Sequence, residues 1–156
     1  MREIFEVSEA CGYRHYFYGS TPETLKLLKE KIEEKYHLAI VGLESPPFRK
    51  LTEEEDRKVV ERINAARADF VWVGLGAPKQ EKWMAKNGAD TGAHLLCGLG
   101  GSLDVFAGVV ERAPKFWCDH GLEWLYRLLK EPRRAGRMMK LPLFLVHVRQ
   151  EKGKRK

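Results

Sequence analysis

Short apolar runs alternate with stretches of helical period along this chain. Tyr16-Phe17-Tyr18 is an apolar run closed by Gly19, which predicts a strand. Thr21 then supplies an N-cap and Pro22 the first helical residue. Leu25, Leu28 and Ile32 follow at spacings of three and four, as on a helix with one buried face. Leu38-Ala39-Ile40-Val41 predicts a second strand closed by Gly42, and Ser45-Pro46-Pro47 a loop. Thr52 and Glu55 have capping-box spacing before a helix reaching about Ala66, with Val59, Val60 and Ile63 inward. Phe70-Val71-Trp72-Val73 predicts a third strand running into Gly74-Leu75-Gly76, and a short helix follows over 79–86. His94-Leu95-Leu96-Cys97 predicts a fourth strand running into Gly98-Leu99-Gly100-Gly101. After Pro114 the texture is helical only, over 122–129 and again from Pro132.

The four runs are apolar on both faces, as strands of a parallel sheet covered on both sides are. Together with the helices between them they predict an α/β fold: a three-layer, Rossmann-like parallel sheet with a C-terminal helical appendage. The boundary falls at 1–113 for the α/β domain and 114–156 for the basic appendage. Four strands make a small open sheet with little to pack its first edge, so a segment before Met1 is expected to belong to the fold.

Composition narrows the class. The chain has 156 residues, 44% apolar and 32% charged, which excludes disordered, collagen-like and low-complexity classes. The longest strongly apolar run, 141–148, is broken by Pro142 and His147 and is far short of the roughly 20 residues of a membrane span. Met1-Arg2-Glu3-Ile4-Phe5-Glu6 carries acids and no apolar core, so no secretory signal is expected. Cys11, Cys97 and Cys118 are odd in number and form no C-x-x-C, which favours a reducing compartment. His94 and Cys97, three apart in a strand, face opposite ways, so no metal site is expected.

Charge is unevenly placed. The net charge is +6, yet from Gly121 onward 11 Lys and Arg stand against 3 acids, leaving −2 for the preceding 120 residues. The basic end calls for an anionic partner: a phosphate-bearing ligand, a membrane surface or a nucleic acid.

In parallel α/β sheets, ligands bind beyond the carboxyl ends of the strands. Two glycine loops fall there. In Gly74-Leu75-Gly76-Ala77-Pro78-Lys79-Gln80-Glu81 the glycines admit a close backbone, Pro78 opens a helix, and Lys79 and Gln80 place polar groups at its start. A plain strand–turn–helix join is the alternative, which does not by itself require Gln80. In Gly98-Leu99-Gly100-Gly101-Ser102-Leu103-Asp104 the third glycine of a dinucleotide fingerprint is replaced by Leu103. Asp104 there reads either as an acid favouring the helix dipole or as an acceptor for a sugar hydroxyl. Arg127, Arg134 and Arg137 lie at helical spacings, interrupted by Pro132, and suit either a solvated basic face or bidentate phosphate binding. Beyond them an apolar segment, 138–148, adjoins Arg149, Lys152, Lys154, Arg155 and Lys156. That combination suits an anionic membrane surface, or a docked helix with a frayed basic end.

The ordered series 73–83, Gly100-Gly101-Ser102-Leu103-Asp104, Arg112-Ala113-Pro114, 121–128 and Glu131-Pro132-Arg133-Arg134 closely resembles the WecG/TagA/CpsF family, glycosyltransferase family 26. The resemblance runs from about Ile4 to the tail. It implies an inverting transferase that moves an N-acetylmannosamine-type sugar from a UDP donor to a polyprenyl-diphosphate-linked N-acetylglucosamine. It implies no cofactor or metal, and work at the cytoplasmic face of the bacterial membrane on a surface polymer such as teichoic acid. Gln80 and Asp104 would bind the UDP-sugar, with Gly76, Pro78, Lys79, Gly100 and Gly101 shaping its site. Arg127, Arg134 and Arg137 would take the diphosphate. The family's general base is an aspartate of an Asp-Gly segment that nothing in residues 1–20 matches, so the base is expected to be absent from this chain. Ser45-Pro46-Pro47-Phe48-Arg49 falls on a variable loop of the family. The rival classes are an inactive remnant that still binds UDP or the membrane, a nicotinamide-dependent oxidoreductase on a similar fold, and a nucleic-acid binder. The broken fingerprint weakens the second, and a tail without interleaved aromatics weakens the last. Oligomeric state is left open.

Overall fold

The computed structural model describes residues 1–111 and 113–130, the side chains of Trp124 and Arg127 excepted. The chain divides into two compact units, Met1–Glu111 and Arg112–Lys156.

The first unit begins with helix α1 (Arg2–Cys11), which ends in a left-handed Gly12. Then follow β1 (Arg14–Gly19), α2 (Pro22–Glu33), β2 (Ala39–Glu44), α3 (Glu53–Ala65), β3 (Phe70–Gly74), α4 (Lys79–Asn87), β4 (Leu95–Gly98) and α5 (Ser102–Ala107). The strands form one parallel sheet in the order β2-β1-β3-β4. Alternation along β1 and β3 builds the two faces. Tyr16, Tyr18, Val71 and Val73 pack with Val59, Val60 and Ile63 of α3 and Trp83 of α4. Phe17 and Trp72 pack with Phe5 of α1, Leu25, Leu28 and Ile32 of α2, and Leu103 and Ala107 of α5. The expected three-layer α/β fold is what forms. In the second unit α6 (Lys115–Asp119) precedes α7 (Glu123–Lys130).

The capping signals hold. Thr52 Oγ1 accepts from the Glu55 N–H at 3.2 Å, and Glu55 accepts from the Thr52 N–H at 2.8 Å. At α2 only the first of these bonds forms: Thr21 Oγ1 accepts from the Thr24 N–H at 3.2 Å, with Pro22 as the first helical residue. Thr52→Ala is expected to lower unfolding free energy by about 1 kcal/mol, read from a urea titration; an unchanged midpoint would mean that solvent replaces the cap at no cost.

Three local expectations need correction. Gly42 does not end β2, which runs on to Glu44. A Cβ at Gly42 would lie 2.1 Å from the Tyr16 ring, so this glycine makes room for the tyrosine at a register shift between His15 and Tyr16. β4 starts at Leu95, not at His94, whose exposed ring lies 3.4 Å from Asp69. Pro78 precedes α4 as its N-cap instead of opening the helix. The expectation of burial on both faces holds for β1 and β3. β2 and β4 are the sheet edges and stay partly open, Leu95 being 41% exposed.

At the amino ends of the strands Asp69 accepts from the Arg14 backbone N–H at 2.8 Å and from its guanidinium at 3.1 Å. The guanidinium beside it holds the Asp69 carboxyl below the usual carboxylate range. Just inside, His15 is fully buried and stacks on Phe70 and Trp72.

Candidate functional site

The order of the sheet fixes where a ligand can enter. The connection after β1 leads outward to β2, and the one after β3 leads the other way to β4. The crevice therefore opens beyond the carboxyl ends of β1 and β3. Both strands end in glycine there, Gly19 paired with Gly74. A Cβ on Gly19 would lie 2.5 Å from the Gly74 carbonyl carbon, and φ at Gly19 is +124°. A Cβ on Gly74 would lie 2.3 Å from Leu103. These two residues let the strand ends close up and let the start of α5 settle over them. Leu103, where the fingerprint would have its third glycine, is fully buried in that contact.

Gln80 lies between the two glycine loops. It is 7% exposed and its Nε2 donates to Glu81 at 2.9 Å. Its Oε1 is buried and has no partner among the described residues. A Cβ on Gly98 would lie 3.0 Å from Gln80 Nε2, and one on Gly100 would lie 3.5 Å from Gln80 Oε1 and 3.9 Å from Gly76 Cα. The amide thus packs against the backbone of Gly98 and Gly100, near Met84, and Gly76, Gln80 and Gly100 come together. Gly101 precedes α5 as its N-cap, while Pro78 and Lys79 are exposed at the start of α4.

Asp104 sits in the first turn of α5 and accepts a hydrogen bond from Ser20 Oγ at 2.6 Å. Ser20 follows β1 directly and has φ +59°, a left-handed conformation uncommon outside glycine. Its N–H donates to the Gly74 carbonyl at 3.2 Å, and its own carbonyl accepts from Ser45 Oγ at 2.7 Å. Neither serine was singled out from sequence. The Gly19-Ser20 pair directly after a strand was the available signal, masked by the more obvious cap at Thr21.

The loop after β2 lines a recess of about 150 Å³, with Glu44, Ser45, Pro46, Pro47, Glu55 and Arg62 among its walls. Glu44 accepts from Tyr16 Oη at 2.7 Å and pairs with Arg62. Burial beside that carboxylate pushes the Tyr16 hydroxyl up, so it remains a donor. Among the described residues no cluster of His, Cys, Asp and Glu could hold a metal ion. No helix among them is long and apolar enough to cross a membrane.

Arg127 falls on α7, but its side chain lies outside the described residues, as do Arg134, Arg137 and the segment 138–156. Compared with known families, residues 1–156 match the family model described as Glycosyl transferase WecG/TagA/CpsF family.

Proposed function

The chain belongs to the WecG/TagA/CpsF family of glycosyltransferases, and on that premise we propose that its switch-point crevice binds a UDP-sugar donor. The sugar is of the N-acetylmannosamine type and passes, with inversion, to a polyprenyl-diphosphate-linked N-acetylglucosamine at the cytoplasmic membrane surface. The observation that carries the donor site is the buried Gln80 Oε1 without a partner, walled by Gly98 and Gly100. An unpaired buried acceptor costs about 1–3 kcal/mol. A donor N–H or hydroxyl on an incoming ligand would relieve that cost.

Asp104 supplies a carboxylate on the other side of the crevice. Ser20 occupies Oδ1, while Oδ2 has no partner among the described residues and can accept from a sugar hydroxyl. In the transfer the acceptor hydroxyl attacks the sugar C1 and gives up its proton as the bond from C1 to the diphosphate oxygen breaks. The leaving UDP gains negative charge, which preorganised cations stabilise. We assign that part to Arg127, Arg134 and Arg137 on the strength of the family resemblance and the basic composition after Gly121. The same composition, with the apolar segment 138–148, supports peripheral attachment to an anionic membrane face. The proton passes to a general base, a role assigned here to no residue of this chain.

Calorimetric titration with UDP tests the site. Gln80→Ala and Asp104→Ala are each expected to weaken binding roughly 5- to 150-fold, the value of one hydrogen bond to a buried or charged group. Unchanged affinity in both variants would remove the donor site from this crevice.

A further inference from the structure

Ser20 combines three observations that packing alone does not require. It is a non-glycine residue held at φ +59°. It stands at the end of β1, where the connections of the sheet diverge. All of its polar groups are engaged: N–H to Gly74, carbonyl to Ser45, and hydroxyl to Asp104. A left-handed backbone at a serine has to be held in place by its surroundings, and such positions gather where geometry serves function. Here the conformation turns the hydroxyl toward a carboxylate 84 residues away in sequence.

We propose that Ser20 is a positioning residue for Asp104. Its hydroxyl pins Oδ1 at 2.6 Å and so fixes the rotation of the carboxylate, presenting Oδ2 to the ligand. Ser45, by donating to the Ser20 carbonyl, holds the peptide that carries the hydroxyl. The serine itself touches no substrate. It acts through Asp104, so its contribution exists only while Asp104 has its carboxylate. The inference rests on the reading of Asp104 as a donor ligand.

A double-mutant cycle with UDP as the titrant separates the two. Ser20→Gly removes the hydroxyl and accepts φ +59° without strain, so the variant keeps its fold. It is expected to bind UDP about 5- to 20-fold more weakly than the wild type. In an Asp104→Ala background the same change is expected to have no further effect, because neighbours acting through one group are not additive. Ser45→Ala, one bond farther out, is expected to weaken UDP binding about 2- to 3-fold, and to do so only when Ser20 is present. A role confined to backbone structure would alter the melting temperature and leave the coupling to Asp104 at zero. Full UDP affinity in Ser20→Gly, with Asp104→Ala weakened, overturns the positioning role alone. So does an equal loss in both backgrounds, which leaves no coupling between Ser20 and Asp104. Full affinity in Asp104→Ala overturns the donor reading and the positioning role together.

Discussion

Gly19→Ala is expected to cost the fold roughly 2–6 kcal/mol. Two penalties meet at this residue. A φ of +124° is foreign to a residue with a Cβ, and the Cβ itself would lie 2.5 Å from the Gly74 carbonyl carbon and 2.7 Å from its oxygen. Neither atom can yield, since both belong to the backbone of the paired strand. The strands would have to part at their carboxyl ends, where Ser20 donates to the same Gly74 carbonyl. UDP affinity should therefore fall with stability. Gly12→Ala is the control. Gly12 is also left-handed, at φ +69°, but a Cβ there meets nothing within 4 Å. Only conformational strain remains, about 1–2 kcal/mol. Urea unfolding of the two variants side by side reads the difference. Equal losses would mean that the close approach of β1 and β3 relaxes freely.

The second large effect is a dependence of stability on acidity. His15 is fully buried, and burial pushes its pKa down to about 4, Asp69 opposing only in part. Its Nδ1 accepts from Trp72 Nε1 at 3.0 Å, so the neutral ring carries its proton on a buried Nε2 without a partner among the described residues. Unfolded histidine titrates near 6.5. Above that value neither state binds the proton, and this group makes no pH-dependent contribution. Between 6.5 and about 4 the unfolded chain takes a proton that the fold refuses, so stability falls as pH falls. From pH 7.5 to 4.5 the loss from this group should be roughly 2–3 kcal/mol. His15→Asn offers an oxygen for Trp72 and no titration. Its stability profile should lack that component, and parallel profiles for variant and wild type would sink the assignment.

Much of the fold was legible because short-range chemistry specifies it. The caps at Thr21 and Thr52, the inward faces of α2 and α3, and the four apolar runs depend on neighbours within a few residues. Gly42 looks like a strand end in the local pattern because what requires a glycine there is on another strand, the Tyr16 ring. In the candidate site, Gln80 stands out in the sequence as an amide that a turn does not need, and Asp104 as an acid beside glycines. Ser20 and Ser45 do not stand out in the sequence, since each bonds to a partner on a different element. The arginines were legible as a charge pattern, which carries no geometry.

One residue, Ser20, reaches the backbone of β3, the loop after β2 and the first turn of α5. Segments that recognise a ligand ordinarily surrender freedom when it arrives, about 0.5–1.5 kcal/mol for each rotamer-rich side chain brought to rest. Around Ser20 that entropy has been given up when the chain folds. On the proposed reading, little ordering is left to be done on this side of the crevice, and a nucleotide there would be distinguished by what it presents to Asp104.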